Sequence, residues 1–356
     1  MTESPASPPP SILAEAGGHE RPTLKTIAGA TGLAIATVSR ALKDAPDIGE
    51  ETKKRVRETA LRLGYRPNRA GVRLRTGKTN VIALILSTEA DIMNHTSRLI
   101  YSIANALRGT AYHLVVMPYF PDQDPMEPVR YVVETESADA IILNQTRPDD
   151  PRVAYMAQHG FPFATHGRTA MGLDHPYFDF DNEAFARVAV RALAQRGRQR
   201  LYLIPPPRAQ NYGLHMRNGF LEACAQHGVI GEIAETFDSD RGADAVEAAC
   251  NARFSQLPAP DGLVSASTTA AMAAVAGAEA AGYDIGADFD LVAKEAIRFL
   301  KRFRKEIIVI HEDVGRAGDF LAHAVMAAIE RRPPADRGQG LDVPQDVDCA
   351  PWAQGS

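Results

Sequence analysis

The chain has 356 residues, 45% of them hydrophobic and 23% charged, the mix of a folded globular protein with more than one core. It holds no run of eighteen apolar residues, which excludes a membrane-spanning helix, and its three cysteines, Cys224, Cys250 and Cys349, form no CxxC pair, so reduced thiols in the cytoplasm are expected. The formal net charge of −5 conceals an asymmetry, because residues 21–78 carry a net +9 and residues 79–356 a net −11. A basic head on an acidic body suits a protein of which only the head approaches a polyanion.

Residues 1–20 are rich in Pro, Ser, Ala and Gly and lack both a basic start and a long apolar stretch. They read as a disordered leader, not a secretory signal. From Pro22 to Tyr65 the pattern predicts three short helices. Thr23 caps the first, LKTIAGAT, whose Leu24, Ile27 and Ala28 recur at helical spacing, and Gly32 ends it. The second, Ile35 to Leu42, is expected to bury Val38 and Leu42 and to expose Thr37, Ser39 and Arg40. The third, EETKKRVRETALRLG, begins with acids and stops at Gly64, as helix-end electrostatics prefer. Two helices joined by a three-residue turn make a helix-turn-helix, with the second entering the major groove of DNA. Pro67 then blocks continuation, and Asn68 caps a short hinge helix, Arg69 to Leu74, too small to be stable alone.

Beyond Asn80 short apolar runs alternate with helix-length segments. VIALIL, YHLVVM, DAIIL, LYLI, DGLVSA, DLVA and EIIVI read as strands. Residues 97–108, 183–196, 216–227, 268–281 and 314–331 read as helices. Alternation of this kind predicts an α/β core of parallel sheets in two lobes. The tail from Pro333 is expected to drape over the surface. The predicted division is therefore a leader (1–20), an all-α helix-turn-helix headpiece (21–66), a hinge (67–78) and a two-lobed core (79–350).

TLKTIAGATGLAIATVSRALKD, IGEETKKRV, LGYRPN and RLRTGKTNVIALIL together resemble the headpiece and hinge of the lactose repressor family. DFDNEAFARVAVRAL, HMRNGFLEAC and VGRAGDFLAHAVMAAI resemble that family's periplasmic-binding-protein-like core. The resemblance implies a transcriptional regulator, a repressor by default, that binds double-stranded operator DNA as a homodimer or tetramer under the control of a small-molecule effector. It places Ile35, Ala36 and Arg40 on base edges, Thr37 and Ser39 on phosphates, and Asn68 and Leu74 in the hinge, Leu74 as a wedge between base pairs. The chemistry agrees. A guanidinium forks onto guanine O6 and N7, small hydroxyls fix register, and an apolar wedge unstacks a base step. Two residues depart from the family pattern: Ala34 stands where a capping Ser is usual, and Gly71 where Ala is common. They weaken their helices by roughly 1 and 0.5–1 kcal/mol.

For the effector the resemblance implies Asn144, His166, Arg168, Asp181, Arg217, Ser267, Thr268, Glu295 and Glu312, in a cleft at the carboxyl ends of the strands. Ser267-Thr268 replaces an Asn-Asp pair, and Lys294-Glu295 an aromatic-Asp pair. A sugar is the family's default; a sugar acid or sugar phosphate would also suit His166, Arg168, Arg217 and Lys294. No cofactor is expected, since no GxGxxG follows a strand. His311-Glu312-Asp313 superficially suggests an enzyme, but no HExxH, GxSxG or P-loop accompanies it. The basic headpiece argues against an exported sugar-binding protein, which would share the core fold.

Overall fold

The computed structural model describes residues 22–65, 73, 77–88, 93–333, 338–344 and 347. The expected leader and the positions Asn68, Gly71, Leu74 and Cys349 lie outside the described residues. The chain divides into two compact units at Thr79/Asn80.

The first unit is three helices, α1 (Leu24–Thr31), α2 (Ile35–Leu42) and α3 (Glu50–Arg62). Thr23 and Thr26 cap the start of α1 reciprocally, each hydroxyl accepting from the other's backbone N–H at 3.0 and 3.3 Å. Gly32 closes α1 at φ 69°, a left-handed conformation that suits glycine. Ile27, Val38, Ala41, Val56 and Ala60 form the small core. Ala41, not Leu42, takes the buried position beside Val38, and Leu42 only flanks the core. A cluster this small cannot bury much area, so the unit depends on its caps and turns. Ala34 at the N-cap of α2 makes no side-chain cap bond.

The second unit holds two all-parallel sheets. The first runs in the order β11 (Gln339–Asp342), β5 (Tyr177–Phe180), β4 (Phe163–His166), β3 (Ala140–Leu143), β1 (Val81–Ser87), β2 (His113–Tyr119). The second runs β10 (Ile308–His311), β9 (Asp290–Glu295), β8 (Gly262–Ser265), β6 (Arg200–Ile204), β7 (Ile230–Ile233). Helices cover both faces of each, which is why central strands such as β1, β3 and β8 are almost wholly buried and apolar. In the first lobe α4 (Met93–Ala106) and α12 (Val314–Ile329) pack on one face through Leu99, Ile103, Leu321 and Val325. On the other face α5 (Glu127–Thr135) and α6 (Pro151–Gln158) contribute Val129, Val132, Val153 and Met156. In the second lobe α7 (Asn182–Gln195) and α8 (Asn211–His227) cover one face, and α9 (Ala243–Phe254) and α10 (Thr268–Ala280) the other. A short α11 (Leu300–Phe303) precedes β10.

The chain passes from the first lobe to the second after β5, returns after β10, and crosses again after β11 to bring Val347 onto the second lobe's core, each crossing at a strand carboxyl end. The expectation for the tail is corrected. After Pro333 the chain does not simply drape, since β11 adds an edge strand parallel to β5. Gly340 permits it, because a Cβ there would lie 2.5 Å from the Phe178 ring. Among the described residues no helix is long and apolar enough to cross a membrane. Cys224 and Cys250 are free, buried thiols, each pushed up to about 12 by burial.

Candidate functional site

In the first unit α2 presents Ile35, Ala36 and Arg40 to solvent, with Thr37 and Ser39 half-buried beside them. Val38 and Ala41 on the opposite face anchor the helix to the core, so its outer face is free for a partner. Arg40 pairs with Asp47, both well exposed, a contact that contributes little stability and yields readily to a stronger acceptor.

In the second unit a cleft opens where strand carboxyl ends meet. Asn144 follows β3, His166 ends β4, Ser267 and Thr268 follow β8, and Glu312 follows β10; all five line it. Its electrostatic centre is Glu312, 5% exposed. Lys294 Nζ lies 2.9 Å from Glu312 Oε2, and His95 Nε2 lies 3.2 Å from Oε1. Burial alone would raise this carboxyl, but Lys294 and then His95 hold it well below the ordinary glutamate range. Lys294 also donates to Asn182 Oδ1 at 3.2 Å and stands over the rings of Phe180 and Tyr212, 5.2 and 5.6 Å from their centroids. Burial, reinforced by His95, pushes His166 down to about 3, so its imidazole is neutral. Asn144 Oδ1, both polar atoms of the Gln145 amide and His166 Nε2 are buried without a hydrogen-bond partner among the described residues. Buried polar atoms without partners are costly, and these face the cleft with hydrogen-bonding capacity to spare.

The other expected effector residues stand behind or beside the cleft. Arg168 Nε pairs with Asp179 Oδ2 at 3.2 Å, and its carbonyl accepts from Thr146 and Asn211. Asp181 caps α7 by accepting from Ala184 N, and Glu295 accepts from the backbone of Phe299 and Leu300. Arg217 on α8 pairs with the exposed Glu235 at 3.1 Å and does not line the cleft. Of the HED triplet only Glu312 lines the cleft, while Asp313 caps α12. Sequence reasoning did not single out His95, Gln145, Asp179, Phe180, Asn182, Tyr212, Ser239 and Asp240, which line the cleft too. Asp179 and Asn182 are the ends of the DFDN run that carries Asp181, a local signal that could have found them. Gly167, at φ 106°, turns the chain after β4 where a Cβ would lie 2.7 Å from Thr146 Oγ1.

Burial raises the Asp179 carboxyl to about 6, against the pull of Arg168. A folded-state acid that holds its proton more tightly than the unfolded chain adds stability as the pH falls through its folded value. Between about pH 7 and pH 5 the wild type should gain about 1 kcal/mol that Asp179→Asn lacks. Urea unfolding of both proteins at the two pH values checks this, and an identical pH response would refute it.

The arrangement has known counterparts. Residues 80–302 match the family described as periplasmic binding proteins and sugar binding domain of the LacI family, and residues 23–68 match the bacterial regulatory proteins of the lacI family. The chain is 33% identical over 282 residues to the HTH-type transcriptional regulator AglR of Rhizobium meliloti, covering 77% of this chain and 78% of that protein. It is 34% identical over 209 residues to the regulator RafR of Escherichia coli, covering 58% of this chain and 62% of that one. Its fold is similar to that of the Lac repressor dimer bound to operator and the anti-inducer ONPF, with a TM-score of 0.81 at 18% identity, covering 92% of this chain and 98% of the other. A complex of the regulator CelR with cellobiose aligns at a TM-score of 0.66 and 22% identity, over 91% and 98% of the two chains. With a helix-turn-helix head, a two-lobed parallel core and both family matches in register with them, the chain belongs to the LacI family of DNA-binding transcriptional regulators.

Proposed function

We propose that this regulator is a homodimeric repressor, acting in the cytoplasm, whose operator affinity is set by a neutral sugar bound in the cleft between its lobes. The observation that carries the neutral class is the pairing of charge. Each cation at or behind the cleft lining already has a buried acid, Lys294 holding Glu312 and Arg168 holding Asp179, while His166 is neutral and Arg217 lies outside the lining on the exposed Glu235. Among the lining residues three carboxylates, Asp179, Asp240 and Glu312, face one ammonium, Lys294. A sugar acid or phosphate would have to displace a buried carboxylate, leaving it unpaired at a cost of several kcal/mol. A polyol instead meets the unpartnered Asn144 and Gln145 amides and the apolar faces of Phe180 and Tyr212. The neutral disaccharide in the CelR complex fits the same pattern.

The test is to titrate neutral oligosaccharides, sugar acids and sugar phosphates against the protein–operator complex. A neutral sugar is expected to shift operator affinity, and a response confined to anionic ligands would reverse the assignment. Arg217→Ala provides a second expected outcome. Arg217 lies outside the cleft lining on the exposed Glu235, so the variant asks whether an effector extending past the lining exchanges for Glu235. The variant should bind operator normally and lose at least tenfold in effector sensitivity, roughly the contribution of one charge-assisted hydrogen bond. Full effector response in fluorescence anisotropy removes Arg217 from the site.

A further inference from the structure

Three elements of the core converge on one point of the cleft. α4 delivers His95, the end of β4 delivers His166, and the segment after β10 delivers Glu312. One donor atom from each lies within 4.8 Å of the others. His95 Nε2 and His166 Nε2 are 3.2 and 3.9 Å from the same carboxylate oxygen, Glu312 Oε1. On the reading that this cleft is the effector site, the geometry points to a second occupant: one divalent transition-metal ion, zinc first, held by His95, His166 and Glu312.

Zinc bonds of about 2.0–2.1 Å in a tetrahedron set the donors about 3.4 Å apart, a spacing this trio reaches by side-chain shifts of under about 1 Å. Two histidines and a carboxylate are the ligand set of open zinc sites, whose fourth position takes water or a ligand oxygen. Two further observations favour a cation here. His166 Nε2 is buried with no hydrogen-bond partner among the described residues, although it faces Glu312. The lining also carries more carboxylates than ammonium groups, so its field attracts positive charge. Lys294, on Glu312 Oε2 at 2.9 Å, leaves Oε1 turned towards the two rings and acts as a positioning residue. Its own charge opposes the ion, so the site should be weaker than a closed structural zinc site. All three donors line the cleft, so an effector hydroxyl would have access to a fourth position on the ion, making the metal and the sugar interdependent.

The full-length protein, stripped with chelator and dialysed, is titrated with Zn²⁺ alone by calorimetry and with Co²⁺ while the visible spectrum is followed. One ion per chain and the intense visible bands of tetrahedral cobalt are the expected result. Loss of an outer partner already weakens metal binding about 10–100-fold, so His166→Ala should weaken it by more than about 100-fold and erase the bands. His323→Ala, removing an exposed histidine on α12, should change neither. Operator binding by each variant reports folding, and His95→Asn and Glu312→Gln repeat the test if His166→Ala does not fold. Absence of stoichiometric binding, or binding unchanged in all three ligand variants, overturns the metal site. The sugar titration of the operator complex, run with Zn²⁺ present and again in chelator, separates the two readings. A sugar response without zinc binding overturns the metal alone, whereas zinc binding without a response to any neutral sugar overturns the neutral-effector reading and keeps the ion.

Discussion

Arg40→Ala is expected to weaken binding to a selected operator by at least about 30-fold, from a loss of roughly 1 kcal/mol or more in each of two half-sites. It should also relax one base position per half-site. The loss is separable from unfolding, because Arg40 is exposed and the head is held by Ile27, Val38, Ala41 and Val56. Its ion pair with Asp47 lies at the surface, so head stability should stay nearly unchanged. Sequence selection from a random DNA pool, by parent and variant, gives the decisive comparison. The parent should enrich a palindrome of roughly 14–20 base pairs, as a two-fold dimer requires. The variant should enrich the same palindrome with one position in each arm degenerate. If Arg40 touched phosphate instead, affinity would fall evenly across all sequences and the salt slope would drop by about 1 per contact. An unchanged selected sequence would therefore remove Arg40 from base readout.

The head was readable because its signals are local. Thr23, Gly32 and the spacing of Ile27, Ala28 and Val38 each act within a turn or two of their own position. The strands β1, β3, β6 and β8 were readable for another reason: buried on both faces, they are nearly continuous apolar runs. The strands that sequence reading missed, FATH, YFDF, IGEI and QGLD, are four residues each, and most of them mix polar with apolar residues. What makes them strands is a partner distant in the chain, as β11 depends on β5. The cleft divides the same way. Asn144, His166, Ser267, Thr268 and Glu312, which the family resemblance implied, sit at strand carboxyl ends. His95 and Tyr212 approach from helices, and Lys294 meets Glu312 only because neighbouring strands bring them together. No local periodicity encodes such meetings.

The second large effect is expected at a site that touches no ligand. Asp150 is fully buried beside Arg152, whose side chain is 3% exposed. Arg152 Nε and Nη2 fork onto the two carboxylate oxygens at 3.0 and 2.8 Å. The same carboxylate accepts from the backbone of Arg147 and Arg152, the latter capping α6, both at 3.0 Å. Nη2 also donates to the Gln145 carbonyl at 2.9 Å, so the pair holds the backbone of a residue that lines the cleft. Asp150→Ala leaves a buried guanidinium without its acid and α6 without its cap. Removing one partner of a buried pair costs about 3–5 kcal/mol, a large share of a domain's stability. The core's urea transition, followed apart from that of the head because the chain has two units, should fall by that amount. The protein that remains folded should also respond less to sugar, since Gln145 has lost its anchor. Asp150→Ala combined with Arg152→Met should recover part of the stability, because the uncompensated charge is then gone. The pH dependence carries the same signature. Arg152 holds the Asp150 carboxyl below the ordinary aspartate range despite its burial. Its stabilising contribution is thus present above that range and is lost as the pH falls below about 4, a loss the alanine variant should not show. A core transition within 1 kcal/mol of the parent, with sugar response intact, would mean that the strand ends hold the Asn144–Gln145 backbone without the pair.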